Sequence, residues 1–391
     1  MARLLLMSDF SESYANQLLQ GIMRYSHEHE PWVVCKMPLS LRDSDRMNEV
    51  VDFAVRWKAD AIIGQFRPSD DLDSFKKHGI IPICQDFQQS FPGQINIKGD
   101  YELAGKICAD YLIEKHLKNF GFFGLKGIVW SDERRNGFVE EIRSRVPDAT
   151  ISILEKENVS EAWWYDLDTL TEWLDSLPKP VAIFACDDNR AYYIIEASKQ
   201  CGAGNRIPND ILVLGVDNDE SLCQLCDPQL SSLNQGTEEA GYKTAKMIDE
   251  LLAIPAEQRF DKVDDITVEP TFITTRRSSD AFIHDNQYIS KVMYYINNNL
   301  GSHLCVNDIV AQVPMSRRLL ESTFRKEMGL SIYQYILQVR TEKMKDLIMN
   351  GRSPLEAADE LGLDYKIIAR SFKKITGMTP GAFAKQRTKE R

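Results

Sequence analysis

The C-terminal region carries one short module twice, and this repeat restricts the fold more than any other feature. FRKEMGLS begins at Phe324 and FKKITGMT at Phe372, an offset of 48 residues, with Gly329 matching Gly377 and Ser331 matching Thr379. A fixed internal period points to two copies of one supersecondary unit. The second copy shows its architecture more clearly. Ser353-Pro354-Leu355-Glu356 reads as a capping box with proline at the first helical position. The Ser hydroxyl accepts from the Glu356 N–H while the Glu356 carboxylate reaches back to the Ser353 N–H. A short helix is predicted over 354–361, ended by Gly362 in the left-handed conformation. Asp364 caps a longer helix predicted over 365–376, which stops at Gly377. A short helix, a glycine turn and a longer helix make a helix-turn-helix.

The first copy has the same layout, with helices predicted over 306–313 and 317–328, Ser316 as cap and Gly329 as stop. Cys305 stands where Ser353 stands, so no capping box is expected there, and Pro314 replaces the turn glycine. Between the copies, Ile332, Ile336, Val339, Met344, Leu347 and Ile348 follow helical spacing over 332–350. A helix of about 18 residues is roughly 27 Å long. Successive major grooves on one DNA face lie about 34–36 Å apart, so such a rod can set two longer helices in adjacent grooves.

The faces of those helices differ in chemistry. Leu320, Phe324 and Met328 form an inner stripe on the first, and Ile368, Phe372 and Ile375 on the second. Ser316, Arg317, Arg318, Glu321, Ser322 and Arg325 lie outside or at the cap of the first; Tyr365, Lys366, Ala369, Arg370 and Lys373 lie outside on the second. Short side chains with Arg and Lys suit a major groove, where Arg reads guanine edges and Lys or Ser holds phosphate. These are the candidate DNA-binding residues. The charge agrees: residues 300–391 hold 16 Lys+Arg against 10 Asp+Glu, a balance of +6 in a chain of net −11, which leaves −17 for the rest. A basic tail on an acidic body implies that the tail faces a polyanion, here double-stranded DNA. With L-G-L-D-Y at 361–365, S-F-K-K-I-T-G-M-T-P-G-A-F at 371–383 and Arg387, the span 290–387 resembles the AraC/XylS-type DNA-binding domain, although Leu363 stands where that family usually has an aromatic residue.

The body alternates short apolar runs with helical patterns. Strands are predicted at 4–7, 32–35, 61–64 and 81–84, and again at 120–123, 151–154, 181–185 and 212–215, with helices between them. Repeated β-α-β implies parallel sheets covered by helices on both faces, and two sets imply two lobes. The expected fold is a two-lobed α/β sensor over 1–275, a linker over 276–290, and an all-α domain with two helix-turn-helix units over 291–391. Ligands in such sheets bind outside the carboxyl ends of the strands. Asp9 and Phe10, Asp86 and Phe87, Asp188, Asp217 and Asn218 follow strand ends, and Trp130 lies nearby. Asp and Asn pair with hydroxyls while an aromatic face stacks on the C–H side of a sugar ring. A polyol pocket is therefore expected.

The body also resembles the sugar-binding domain of LacI/GalR-type repressors, through Arg-x-x-Gly-Phe at 134–138, Asp-x-x-Ala at 188–191, Gly-x-Asp at 215–217 and Asp227-Pro228-Gln229-Leu230 followed by Gly241. That resemblance implies ligand contacts from Arg134, Asp188 and Asp217. A LacI-like sensor ahead of an AraC-like reader is similar to the order in xylose-responsive regulators. The likeness includes Trp130 before Arg134, Gly-Val-Asp-Asn-Asp-Glu at 215–220 and Leu-Ser-Ser-Leu-Asn-Gln-Gly at 230–236. It implies a cytoplasmic, homodimeric activator of pentose genes that binds promoter direct repeats, takes D-xylose as effector, and contacts RNA polymerase. L-arabinose or another sugar remains an alternative effector.

Other classes find less support. No apolar run approaches the about 20 residues that span a bilayer. The apolar start at 4–7 ends at Ser8-Asp9 and reads as a first strand rather than a leader. Eight cysteines, with only Cys223 and Cys226 as a C-x-x-C, are expected as reduced thiols, and no metal or cofactor is expected. An enzyme is not expected: nucleophile elbow, P-loop, zinc helix and dinucleotide fingerprint are all missing. A DNA-repair alkyl acceptor and a regulator without small-molecule input are the remaining alternatives.

Overall fold

A computed structural model describes residues 1–10, 12–37, 46–86, 89–156, 167–201, 206–260, 264–280, 286–300, 304–349 and 351–390, without the side chains of 257, 287, 298, 346 and 386–390. Phe87 and positions 281–285 of the expected linker lie outside these residues. The chain divides into two compact units, Met1–Glu114 with Lys118–Ser279, and Lys115–Leu117 with Asp280–Arg391.

The first unit holds two sheets. Its strands are β1 (Arg3–Met7), β2 (Val33–Lys36), β3 (Ala61–Gly64), β4 (Ile81–Gln85), β5 (Ile95–Gly99) and β6 (Asn119–Leu125). They continue with β7 (Thr150–Lys156), β8 (Val181–Ala185), β9 (Ile211–Val216), β10 (Ser231–Gln235), β11 (Ile266–Val268) and β12 (Pro270–Thr274). One sheet has the order β11-β5-β4-β3-β1-β2 and the other β12-β10-β9-β8-β6-β7. All pairs are parallel except β10 with β12. Central strands such as β3 (AIIG) and β9 (ILVLGV) are buried along their whole length. That is why they read as unbroken apolar runs: both faces of a parallel sheet are covered. In β1, Leu4 and Leu6 enter one core and Leu5 and Met7 the other.

The expected two-lobed α/β fold is present, and each strand read from the sequence is found. The strands β5, β10, β11 and β12 had no clear signal. They complete the sheets because the chain changes lobe after β5, after β10 and after β11. Helix Tyr101–Ile113 makes the first change and packs on helix Val129–Arg145. The contact is close: a Cβ on Gly105 would strike the carbonyl oxygen of Arg134, and one on Gly137 that of Glu102. This approach holds Arg134 at its height above the second sheet.

The second unit has two cores joined by one helix. The first collects Ile289, Val292, Met293, Ile296, Ile309, Leu320 and Phe324, and the second Ala357, Ala358, Ile368 and Phe372. Helix Ile332–Met349 gives Ile332, Tyr335, Ile336 and Val339 to the first core and Met344 and Ile348 to the second. The expected spacer is thus a shared wall of both cores. The linker expected over 276–290 is shorter than its sequence suggested. Ser278 donates its N–H to the Gln229 carbonyl at 2.8 Å and accepts from the Val213 N–H at 2.9 Å, so 276–279 are sewn to the second sheet. Helix Gln287–Asn298 already belongs to the first helical core. Polar Ser278 and Ser279 hid this, because their burial (0% exposed) depends on partners far away in sequence.

Candidate functional site

The strand-end rule places a cavity in the first unit. It encloses about 390 Å³ of non-atom space, open solvent included, and is lined by Glu12, Tyr14, Gln65, Gln85, Asp86, Tyr101, Trp130, Arg134, Asp187 and Asp217. Gln65 and Asp86 directly follow β3 and β4, and Asp187 and Asp217 follow β8 and β9. Arg134 and Trp130 project from helix Val129–Arg145. Arg134 is 2% exposed. Its Nη1 donates to the Cys186 carbonyl at 2.5 Å, and its Nη2 stands 3.6 Å from Asp217 Oδ1. The guanidinium lies 5.3 Å from the Tyr101 ring centroid and 5.5 Å from that of Trp130, so two aromatic faces flank it. Arg134 Nε and the Tyr14 hydroxyl are buried without a hydrogen-bond partner. Unpaired buried polar atoms are costly, and both belong to cavity-lining residues.

Of the residues expected at this site, Asp86, Trp130, Arg134 and Asp217 line it, and Asp9, Phe10, Asp188 and Asn218 do not. Asp188 is buried and turned toward the sheet: it accepts from Ser232 Oγ at 2.6 Å and from the Asp219 N–H at 2.8 Å. The preceding residue takes its place. Asp187 caps helix Asp188–Ser198, accepts from the Arg190 N–H at 2.8 Å and pairs with Arg190 Nη1 at 2.8 Å. Asn218 accepts from Arg276 Nη1 and donates to Asn234 Oδ1, both at 2.8 Å, and so ties the end of β9 to β10 and to the segment after β12. Lys36 Nζ lies 3.9 Å from the centroid of the Phe10 ring, and the Asp9 carbonyl accepts from the Glu12 N–H at 3.2 Å. Gln85 and Asp187 stand in the strand-end stretches that the sequence marks, whereas Glu12, Tyr14, Gln65 and Tyr101 escaped the sequence reading. Gln65 was findable at the end of β3. Tyr101 was not, because β5 was not recognised.

Burial governs the charge of the site. It pushes the Glu12 carboxyl up to about 8, with Asp187 adding repulsion against the pull of Arg190. It pushes Asp86 up to about 6 against a hydrogen bond from Ser90. Asp217 is raised by burial and held back by Arg134. Near neutrality the cavity therefore offers the protonated Glu12 carboxyl as donor beside the ionised Asp86 as acceptor. The folded chain keeps protons on Glu12 and Asp86 that the unfolded chain releases near pH 4. Their stabilisation is complete below about pH 4 and is lost as pH rises through about 6 and then about 8. We expect the midpoint of thermal unfolding of the ligand-free protein to fall from about pH 5 to about pH 8.5. Glu12→Gln should remove the upper part of that fall. An identical pH profile for Glu12→Gln would contradict the assignment.

The thiols are free, and Cys84 and Cys226 are pushed up to about 12 by burial, away from the low values of reactive cysteines.

In the second unit the long helices are Arg317–Met328 and Tyr365–Thr376, with Gly329 and Gly377 at φ 67° and 80° behind them. Ser316, Arg317, Arg318, Glu321, Ser322 and Arg325 are exposed, as are Lys366, Arg370 and Lys373. Arg317 Nε donates to Glu321 Oε1 at 2.9 Å, so these two act as one pair on the face. Three expectations change. Tyr365 and Ala369 are half-buried rather than outside, Tyr365 against the second core. Ile375 is 42% exposed rather than inside, because Phe383 packs edge-on to Phe372 at 5.6 Å and completes the core instead. The first copy is also not without its cap: Asp308 accepts from the Cys305 N–H at 3.2 Å and the Cys305 thiol at 2.9 Å. The returning half of a capping box needs only a carboxylate at the third helical position.

Comparison with known proteins agrees with this division. Residues 109–279 match a family described as periplasmic binding protein-like domain, and residues 309–386 one described as helix-turn-helix domain. The chain is 27% identical to the xylose operon regulatory protein of Haemophilus influenzae, an alignment that covers 97% of each chain. It is 24% identical to the protein of that name from Escherichia coli strain K12, over 89% of this chain and 87% of the other. Its structure is similar to that of the xylose-binding transcription activator XylR, with a TM-score of 0.57 and 23% identity, covering 98% of this chain and 97% of that one. The expected order is thereby met: a periplasmic-binding-protein-like domain precedes a helix-turn-helix DNA-binding domain, in a chain similar to the xylose operon regulatory proteins over most of its length.

Proposed function

We propose that this homologue of the xylose operon regulatory proteins is a cytoplasmic, sugar-responsive transcription activator, not an enzyme, whose effector is a pentose, D-xylose. One observation carries the sugar reading. The wall of the cavity joins an aromatic face at Trp130 to unpartnered donors on Arg134 and Tyr14, the pairing of apolar face and convergent polar groups that small-molecule sites use. Carboxylates of both protonation states supply acceptors and a donor, which suits the hydroxyls of a neutral polyol and opposes an anionic one. The candidate contacts are Glu12, Tyr14, Asp86, Trp130, Arg134, Asp187 and Asp217. The exposed basic faces of the two long helices support the DNA reading, with Arg318, Ser322, Arg325, Lys366, Arg370 and Lys373 toward the duplex. In this reading two copies bind promoter direct repeats and contact RNA polymerase. The sugar acts by binding one arrangement of the chain more tightly than the other.

Titration calorimetry and thermal unfolding with D-xylose, L-arabinose, D-ribose and D-glucose test the proposal. D-xylose should bind tightest, and at a hundred times its Kd should stabilise the folded chain by about 2.7 kcal/mol. Binding of only arabinose or a hexose would reassign the effector. No response to any of the four would remove the sugar reading.

A further inference from the structure

On both long helices a large apolar side chain stands in the open at the same place. Leu319 is 53% exposed and Ile367 65%. The 48-residue offset that relates Phe324 to Phe372 also carries Leu319 onto Ile367. Each is the third residue of its helix. Their backbone N–H groups donate to the caps, Leu319 to Ser316 Oγ at 3.3 Å and Ile367 to Asp364 Oδ1 at 3.1 Å. Capping fixes the first turn, and with it the direction in which these side chains leave the helix.

Single exposed apolar residues are ordinary on a protein surface. Recurrence is what separates this pair. The other exposed apolar residues of the unit that stand out similarly are Tyr294, Tyr333, Leu355 and Ile375. The repeat places Glu342, Gly381, Asn307 and Glu327 opposite them. The surroundings of the pair are polar and basic. Arg318 precedes Leu319 and Ser322 lies one turn on; Lys366 precedes Ile367 and Arg370 lies one turn on. An apolar protein partner finds little here to match those cations, whereas a duplex matches them with phosphates and guanine edges. The first turn of a recognition helix meets the base edges, and the apolar feature that a base edge offers in the major groove is the C5 methyl of thymine.

We infer that Leu319 and Ile367 each pack on a thymine C5 methyl group, so that both half-sites contain a thymine read by apolar contact. This deepens the DNA reading proposed above and rests on it. In the second half-site the thymine neighbours the base pair reached by Arg370.

The test uses the full chain. It first selects duplexes from a random-sequence library, and the selected site is then remade with each thymine replaced in turn by deoxyuridine, which removes one methyl. Binding is measured at one fixed salt concentration. One deoxyuridine position in each half-site should weaken binding about fourfold, the worth of one buried methyl. Leu319→Ala should make one of those positions indifferent to the methyl, and Ile367→Ala the other. The inference is overturned if no deoxyuridine weakens binding beyond about twofold, or if both alanine variants keep both sensitivities. Selection of no duplex at all would instead remove the DNA reading on which it rests.

Discussion

Replacing Arg134 by alanine should abolish measurable sugar binding, with a loss of more than about a hundredfold in affinity, close to 3 kcal/mol. The side chain is buried, flanked by Tyr101 and Trp130, and joined to the Cys186 carbonyl, with Asp217 within 3.6 Å. Its removal leaves a buried carbonyl unpaired and takes the nearest cation from a carboxylate that burial already destabilises. Without that cation Asp217 is raised further, which weakens it as an acceptor for a sugar hydroxyl. Arg134→Lys keeps the charge but loses the flat fork and its stacking between two rings, so an intermediate loss is expected. Calorimetric titration with D-xylose measures both variants. An alanine variant that binds within about threefold of the native chain would exclude Arg134 from the site.

Phe372→Ala should unfold the second helix-turn-helix and with it eliminate DNA binding. Phe372 is fully buried in a small cluster with Met344, Ile348, Ala357, Ala358 and Ile368, and it meets Phe383 edge-on. Truncating such a phenylalanine costs about 3–5 kcal/mol, a large share of the stability of a core this small. Circular dichroism should show lost helix at 25 °C, and a DNA-binding assay should show no complex. D-xylose affinity should stay unchanged, since the clusters around the two sheets do not include Phe372. Full helical signal together with unchanged DNA affinity would contradict this reading of the second core.

The helix-turn-helix pair was legible because its signals are local. Caps, glycine stops and i, i+4 apolar stripes act within one or two turns, and Arg317–Met328 and Tyr365–Thr376 lie where those signals put them. The central strands were legible for a similar reason, since burial on both faces leaves an unbroken apolar run. Strands with polar positions, such as INIKG in β5 and SSLNQ in β10, carry no such mark. Their polar groups are satisfied by distant partners: Asn96 by Asp265, Ser231 by Ser278 and Arg276.

The residues alone determined the architecture of this protein, a doubly lobed α/β body ahead of two helix-turn-helix units, because hydrophobic period and capping are properties of a short stretch of chain. They did not determine which carboxylates face the cleft. Asp187 and Asp188 are neighbours after the same strand, yet one caps the following helix beside the cavity and the other is drawn beneath the turn by Ser232 and Asp219. Only the tertiary structure decides between them, because the direction of the Asp188 side chain is set by partners 31 and 44 residues away.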